Sequence, residues 1–285
     1  MMKNNLLCLV YCGLMFSASY GFAQEPLTTE VSRQVEQIAA GIDKTPEEAA
    51  KEFNRLLKGK NKKNISLLIA IGNAYLSHKC PDQAQEYMER AMKVDSKSAP
   101  LYMLAGDIAL SKKNVGTACG YYEQAILFDA NCYDAYYKYS RAYLGVNPQL
   151  SIDMLEKLKA SHPELPEVNR ELGNAYYQAG NYSKAKTAYD EFMGQGTPNT
   201  QDYGRYAMLL YLNKDYKQSL EAVQKGLATD KDDHLLKRLR MYDLYEIASY
   251  QEGLEAANNF FDRPDGTDYV SVCIYGCTAP VRSLS

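Results

Sequence analysis

Residues 172–189 read LGNAYYQAGNYSKAKTAY. A glycine at 173 and Tyr176 precede a turn at Ala179-Gly180-Asn181, and Ala185 and Tyr189 follow it. Working outward, the small residue recurs about every 34 positions, as Gly72, Gly106, Ser140, Gly173 and Ala207, with Met241 in the sixth place. Three residues after each stand Tyr75, Ala109, Tyr143, Tyr176, Leu210 and Leu244. A second small residue follows at Ala84, Ala118, Ser151, Ala185, Ser219 and Gly253, and four beyond it come Met88, Tyr122, Leu155, Tyr189, Val223 and Ala257. One turn, Gly145-Val146-Asn147-Pro148, is a residue short and shifts the register by one. Such a period describes a pair of antiparallel helices whose axes approach closely at the small residues. Tyrosines such as Tyr75, Tyr102, Tyr122, Tyr136, Tyr143, Tyr176, Tyr189 and Tyr203 then fill the space between helices. One pair cannot bury its apolar face, so pairs must stack, and the expected fold class is all-α, an α-solenoid with a concave face.

The motif copies Ile71-Gly72-Asn73-Ala74-Tyr75 with Ala84 and Ala91, and Leu172-Gly173-Asn174-Ala175-Tyr176 with Ala185 and Tyr189, resemble the tetratricopeptide repeat (TPR). The resemblance covers residues 64–267 as six units, 64–98, 99–132, 133–165, 166–199, 200–233 and 234–267. Residues 24–63 read as a degenerate helical pair followed by a basic linker, Lys58-Gly59-Lys60-Asn61-Lys62-Lys63. Thr45-Pro46-Glu47-Glu48 is a helix start, with Thr45 expected to cap it. Residues 268–285 read as an incomplete repeat or aberrant tail: Asp268-Tyr269-Val270 opens like a first helix, and Pro280 stops it. This ending is consistent with a truncated or frame-shifted form of a longer repeat protein.

Residues 1–23 have the order of a signal peptide: Lys3 in a short polar start, an apolar run from Leu6 to Phe16, and Gly21-Phe22-Ala23 before Gln24. The run is too short to span a bilayer. The chain is therefore expected to be exported, periplasmic or secreted at a bacterial envelope, without stable membrane insertion once the leader is removed. Cleavage would leave Cys80, Cys119, Cys132, Cys273 and Cys277, an odd number. With 32 basic and 35 acidic residues and a formal charge of −3, nothing points to nucleic acid as a partner. Tyrosine is abundant, 25 in 285 residues, and tryptophan is absent.

No motif supports catalysis, a cofactor or a metal. His78, His162 and His234 share no repeat position, and there is no P-loop, G-x-S-x-G, H-E-x-x-H or G-x-G-x-x-G. Cys273 and Cys277 lack companion ligands. The chain is expected not to be an enzyme.

The resemblance implies that the first helices line the concave face. Carried onto this sequence, the groove residues are Asn73, Asp107, Tyr137, Lys138, Arg141, Arg170, Asn174, Tyr177, Arg205, Tyr211, Arg238 and Tyr242. Lys138, Arg141, Arg170, Arg205 and Arg238 would form a basic stripe interleaved with tyrosine, suited to an extended peptide bearing carboxylates. Glu167 and Glu171 are candidate partners for some of that charge. The family's carboxylate-clamp pattern is matched only at Arg170 and Asn174, and Leu235 and Leu239 occupy its later places. The leading expectation is an exported scaffold that binds a protein or peptide segment in this groove. The alternative is a carbohydrate- or nutrient-binding envelope protein, or a fragment that has lost its function with its later repeats.

Overall fold

Short polar residues open the helices. Thr28, Asn64, Ser98, Asn114, Asn181, Asn199 and Asp233 each accept a backbone N–H from three residues ahead. Pro46, Pro81, Pro148 and Pro166 occupy first helical positions, where a missing N–H costs nothing. The computed structural model describes residues 26–261. The leader, the tail from 268 onward, Cys273 and Cys277 lie outside the described residues.

Among the described residues there are fourteen α-helices and no strand. They run α1 Thr29–Ala39, α2 Pro46–Leu56, α3 Ile65–Ser77, α4 Pro81–Met92, α5 Ala99–Ser111, α6 Val115–Phe128, α7 Tyr133–Tyr143, α8 Pro148–Ser161, α9 Pro166–Gln178, α10 Tyr182–Gln195, α11 Thr200–Leu212, α12 Tyr216–Thr229, α13 His234–Glu246 and α14 Tyr250–Phe261. The fold class is the all-α solenoid of helix pairs. The chain divides into two compact units between Ser96 and Lys97.

The described part of the first unit holds α1–α4. Phe53 is fully buried, with its ring 5.4 Å from Tyr75 and 6.5 Å from Tyr87. Gly59–Lys63 forms a 3-10 turn between α2 and α3. Thr45 stands at the head of α2 but does not cap it: its hydroxyl donates backward to the Gly41 carbonyl at 3.3 Å. The preceding turn, closed by the Thr45 N–H on the same carbonyl at 2.8 Å, holds the side chain on that side.

The second unit holds α5–α14, each helix packing on the next, with α7 also touching α9 and α11 touching α13. Its tightest contacts are glycine on tyrosine. A Cβ added at Gly106 would lie 2.3 Å from the Tyr122 ring, and one at Gly173 would lie 2.3 Å from the Tyr189 ring. Tyr122 and Tyr189 are fully buried in that space. Of the other tyrosines expected as filler, Tyr75 and Tyr136 are buried and Tyr102, Tyr143, Tyr176 and Tyr203 half-buried. Where the first helix carries Ser140 or Ala207 instead of glycine, a serine from the second helix bonds its carbonyl: Ser151 Oγ to Ser140 O at 2.6 Å, Ser219 Oγ to Ala207 O at 3.0 Å. Cys119 and Cys132 are free thiols, as is Cys80 in the first unit.

Five first helices end alike. Lys79, Lys113, Gly180, Lys214 and Ala248 take left-handed φ near +60 to +75°. The next residue's N–H then returns to a carbonyl five back, as Asn181 does to Tyr176 and Asp215 to Leu210. The α7–α8 turn, one residue short, has no left-handed residue.

Asp243 of α13 is completely buried. Its Oδ2 lies 2.7 Å from Ser219 Oγ, and its Oδ1 has no partner among the described residues. Burial pushes the carboxyl up to about 7, Glu246 reinforcing the rise and Ser219 opposing it. When protonated, Asp243 can donate to Ser219, leaving the serine proton for the Ala207 carbonyl. When ionised, it competes for that proton.

Two outcomes follow from this packing. Gly173→Ala should lower unfolding free energy by roughly 1–3 kcal/mol in urea denaturation, and adding Tyr189→Leu should recover part of that loss by vacating the space. Because the folded state holds the Asp243 proton more tightly than the unfolded chain, whose carboxyl titrates near 4, this group's contribution is greatest at low pH and is lost between about pH 4 and pH 7. Asp243→Asn should flatten that slope and raise stability at pH 8 by an amount on the order of a few kcal/mol; an unchanged slope would place the pH dependence elsewhere.

Candidate peptide-binding cleft

Helical spacing aims the ninth residue of each first helix, and its neighbours a turn away, at one face. In the second unit that face contains a cleft of about 580 Å³. Arg141 and Leu144 of α7 form one end. Arg170, Glu171, Asn174 and Tyr177 of α9 form the floor, with Asp202, Arg205 and Met208 of α11 and Leu235 of α13 beyond. Tyr189 reaches the cleft from α10, passing beneath Gly173. Five of the expected groove residues, Arg141, Arg170, Asn174, Tyr177 and Arg205, therefore meet in one place.

The others lie elsewhere. Asp107 and Lys138 pair with each other across α5 and α7. Tyr137 is half-buried, and burial beside Glu167 and Glu171 pushes its phenol up to about 12. Tyr211 and Tyr242 have ring centroids 6.1 Å apart, and the Tyr211 hydroxyl donates to Glu246 at 3.4 Å. Arg238 is exposed on α13 and does not line the cleft. Asn73 is exposed on α3, in the first unit.

The basic stripe is not a free one. Arg141 donates to Glu171, which is 6% exposed, and Arg170 lies 3.5 Å from Glu171 and 3.8 Å from the buried Asp202. Reading first-helix positions in isolation overlooks acids that the next pair delivers to the same face. Asp202 in particular was missed. Its signal was available in Asn199-Thr200-Gln201-Asp202: Asn199 accepts the Asp202 N–H, and Asp202 accepts the Asn199 N–H, each at 3.1 Å. That reciprocal cap fixes the carboxylate at the cleft wall.

Arg205 is different, and an internal comparison shows why. Tyr122 donates to Asp107 at 2.8 Å, and Lys138 pairs with the same carboxylate. Displaced by 67 residues in each case, Tyr189 donates to Asn174 Oδ1 at 2.8 Å, and Arg205 donates to that oxygen at 3.3 Å. The geometry is repeated with an amide in place of the carboxylate. Lys138 is neutralised by its partner, whereas Asn174 orients Arg205 without cancelling its charge. Tyr189, pushed up to about 12 chiefly by burial, stays a neutral donor. The cleft's three guanidinium groups thus face two carboxylates, and the surplus charge sits on exposed Arg205.

Among the described residues no group of three or more His, Cys, Asp or Glu could hold a metal ion, and no helix is long and apolar enough to cross a membrane. His78, His162 and His234 lie at separate helix ends.

This architecture defines a helical-repeat protein with a lined groove. The family described as Tetratricopeptide repeat matches residues 69–135 and 170–234. The fold is shared with the C-terminal part of a TPR repeat-containing protein from Cytophaga hutchinsonii: TM-score 0.63, 20% identity, over 84% of this chain and 98% of that one. It is shared with a tetratricopeptide repeat protein from Parabacteroides merdae: TM-score 0.56, 12% identity, 86% and 98%. PilW, described as a widely conserved type IV pilus biogenesis factor, matches with TM-score 0.58 and 18% identity over 74% and 99%. At these identities the likeness shows the fold alone. No curated protein sequence matches the chain significantly. The chain is a tetratricopeptide-repeat protein, and its repeats imply a protein-interaction scaffold.

The buried acid at the cleft floor yields a direct check. Glu171→Gln should cost roughly 1–3 kcal/mol in chemical denaturation, because two arginines lose their shared counter-charge. Adding Arg141→Gln should restore part of the loss. Equal stability of Glu171→Gln and the parent would mean that the arginines are held by solvent instead.

Proposed function

We propose that this protein is an exported scaffold that binds an acidic peptide segment in the cleft along α7, α9, α11 and α13, with Arg205 as the cation that meets the ligand's carboxylate. The observation that carries this reading is the substitution of Asn174 for a carboxylate at the place where Asp107 neutralises Lys138. An oriented guanidinium that keeps its charge beside amide, tyrosyl and apolar walls suits an extended chain with one acidic anchor. Export rests on the sequence of residues 1–23. Binding rather than catalysis is supported by the repeat architecture, and nucleic acid is disfavoured as a partner by the formal charge of −3.

An array of random hexapeptides, probed with the protein at 50 mM and 300 mM salt, tests the proposal. Acidic sequences should be enriched, and their capture should fall at the higher salt as the exposed charge is screened. Both Arg205→Glu and Asn174→Asp should reduce their capture about tenfold, the loss of one charge-assisted hydrogen bond, with the fold unchanged by circular dichroism. Acidic enrichment that survives both substitutions would remove Arg205 from the site, and no acidic enrichment at all would sink the proposal.

A further inference from the structure

Three turns of the second unit carry the same aromatic pair. Tyr177 and Tyr182 flank the α9–α10 turn, Tyr211 and Tyr216 the α11–α12 turn, and Tyr245 and Tyr250 the α13–α14 turn. The ring centroids are 5.5, 5.3 and 5.6 Å apart, with interplanar angles of 56°, 62° and 59°. In each pair the first tyrosine is the penultimate residue of one helix, and the second opens the next.

The turn itself does not call for these residues. The α3–α4 and α5–α6 turns have the same left-handed residue and the same return hydrogen bond. At the corresponding places they carry Leu76 with Pro81, and Leu110 with Val115. Nor does burial explain the tyrosines fully: Tyr177 is 37% exposed, Tyr182 42% and Tyr250 62%. Solvent-facing aromatic rings at equal intervals point to a ligand with a matching repeat.

We propose that this tyrosine ladder binds a proline-rich peptide in the polyproline II conformation. Helices in contact, such as α11 and α13, have axes about 8–10 Å apart. One polyproline II turn of three residues rises about 9.3 Å, so each tyrosine pair meets a ring on every third residue. The ring faces supply flat apolar contact for pyrrolidines. The phenol hydroxyls can donate to backbone carbonyls, which polyproline II leaves without internal partners. Between the second and third pairs lies a hollow of about 500 Å³ with Tyr216, Ile247 and Ala248 among its walls. Its charged walls balance, Lys214 and Lys217 against Asp215 and Glu246. That balance favours an uncharged ligand, in contrast to the Arg205 cleft.

Oligoprolines of three, six, nine and twelve residues, titrated into the protein by calorimetry, test the ladder. Affinity should rise with length up to about nine residues, when three turns are engaged, and then level off. Tyr250→Ser should weaken nonaproline binding about 3- to 10-fold, the range for one aromatic contact. Tyr182→Ser/Tyr216→Ser/Tyr250→Ser should abolish it, with helicity unchanged. Arg205→Glu should leave it intact, so a failure of the acidic-peptide reading does not decide this one. Absent nonaproline binding, or binding indifferent to Tyr250→Ser and to the triple substitution, overturns the proposal. So does maltohexaose binding that the triple substitution abolishes while nonaproline fails to bind.

Discussion

The passage of a tyrosine ring beneath a glycine is the contact on which the second unit turns. At Gly173 the two helix axes come so close that a single methyl group would overlap the Tyr189 ring. That closeness buries the ring completely and carries its hydroxyl through to the opposite face, where it holds Asn174 Oδ1. Core packing and groove chemistry are thus joined in one side chain. The same construction at Gly106 and Tyr122 delivers a hydroxyl to Asp107, and the difference between an acid and an amide at that point decides how much charge the groove retains.

Electrostatically, the groove is closer to neutral than its arginines suggest. Glu171 and Asp202 are almost fully buried, and their charges are tolerable only because guanidinium groups lie beside them. Arg141 and Arg170 therefore serve the structure first. Arg205 is exposed and hydrogen-bonded to a neutral amide, so its charge remains available. A ligand carboxylate would supply what Asp107 supplies to Lys138 within the chain.

The period of small and aromatic residues made the helix pairs legible, because the spacing that lets axes approach is written locally in each repeat. Gly173 and Tyr189 could be matched from their positions alone. The cleft was partly legible: Arg141, Arg170, Asn174, Tyr177 and Arg205 followed from the face they share. What could not be read was which charges cancel, since Lys138 finds Asp107 and Arg141 finds Glu171 from about thirty residues away, through side-chain reach that periodicity does not encode. Asp243 was illegible for a related reason. An acid at a first-helix position normally faces water, and its burial depends on α12 and Ser219 closing over it. The cap expected of Thr45 failed on backbone geometry, which turns its hydroxyl toward Gly41.

The central claim is that Arg205 meets a ligand carboxylate. A double-mutant cycle measures it most directly: Arg205→Gln against Glu→Gln in the tightest acidic hexapeptide, with affinities by calorimetry. The account predicts a coupling of about 1 kcal/mol or more between the two positions. Independent, additive losses would contradict it and move the anchor to another residue.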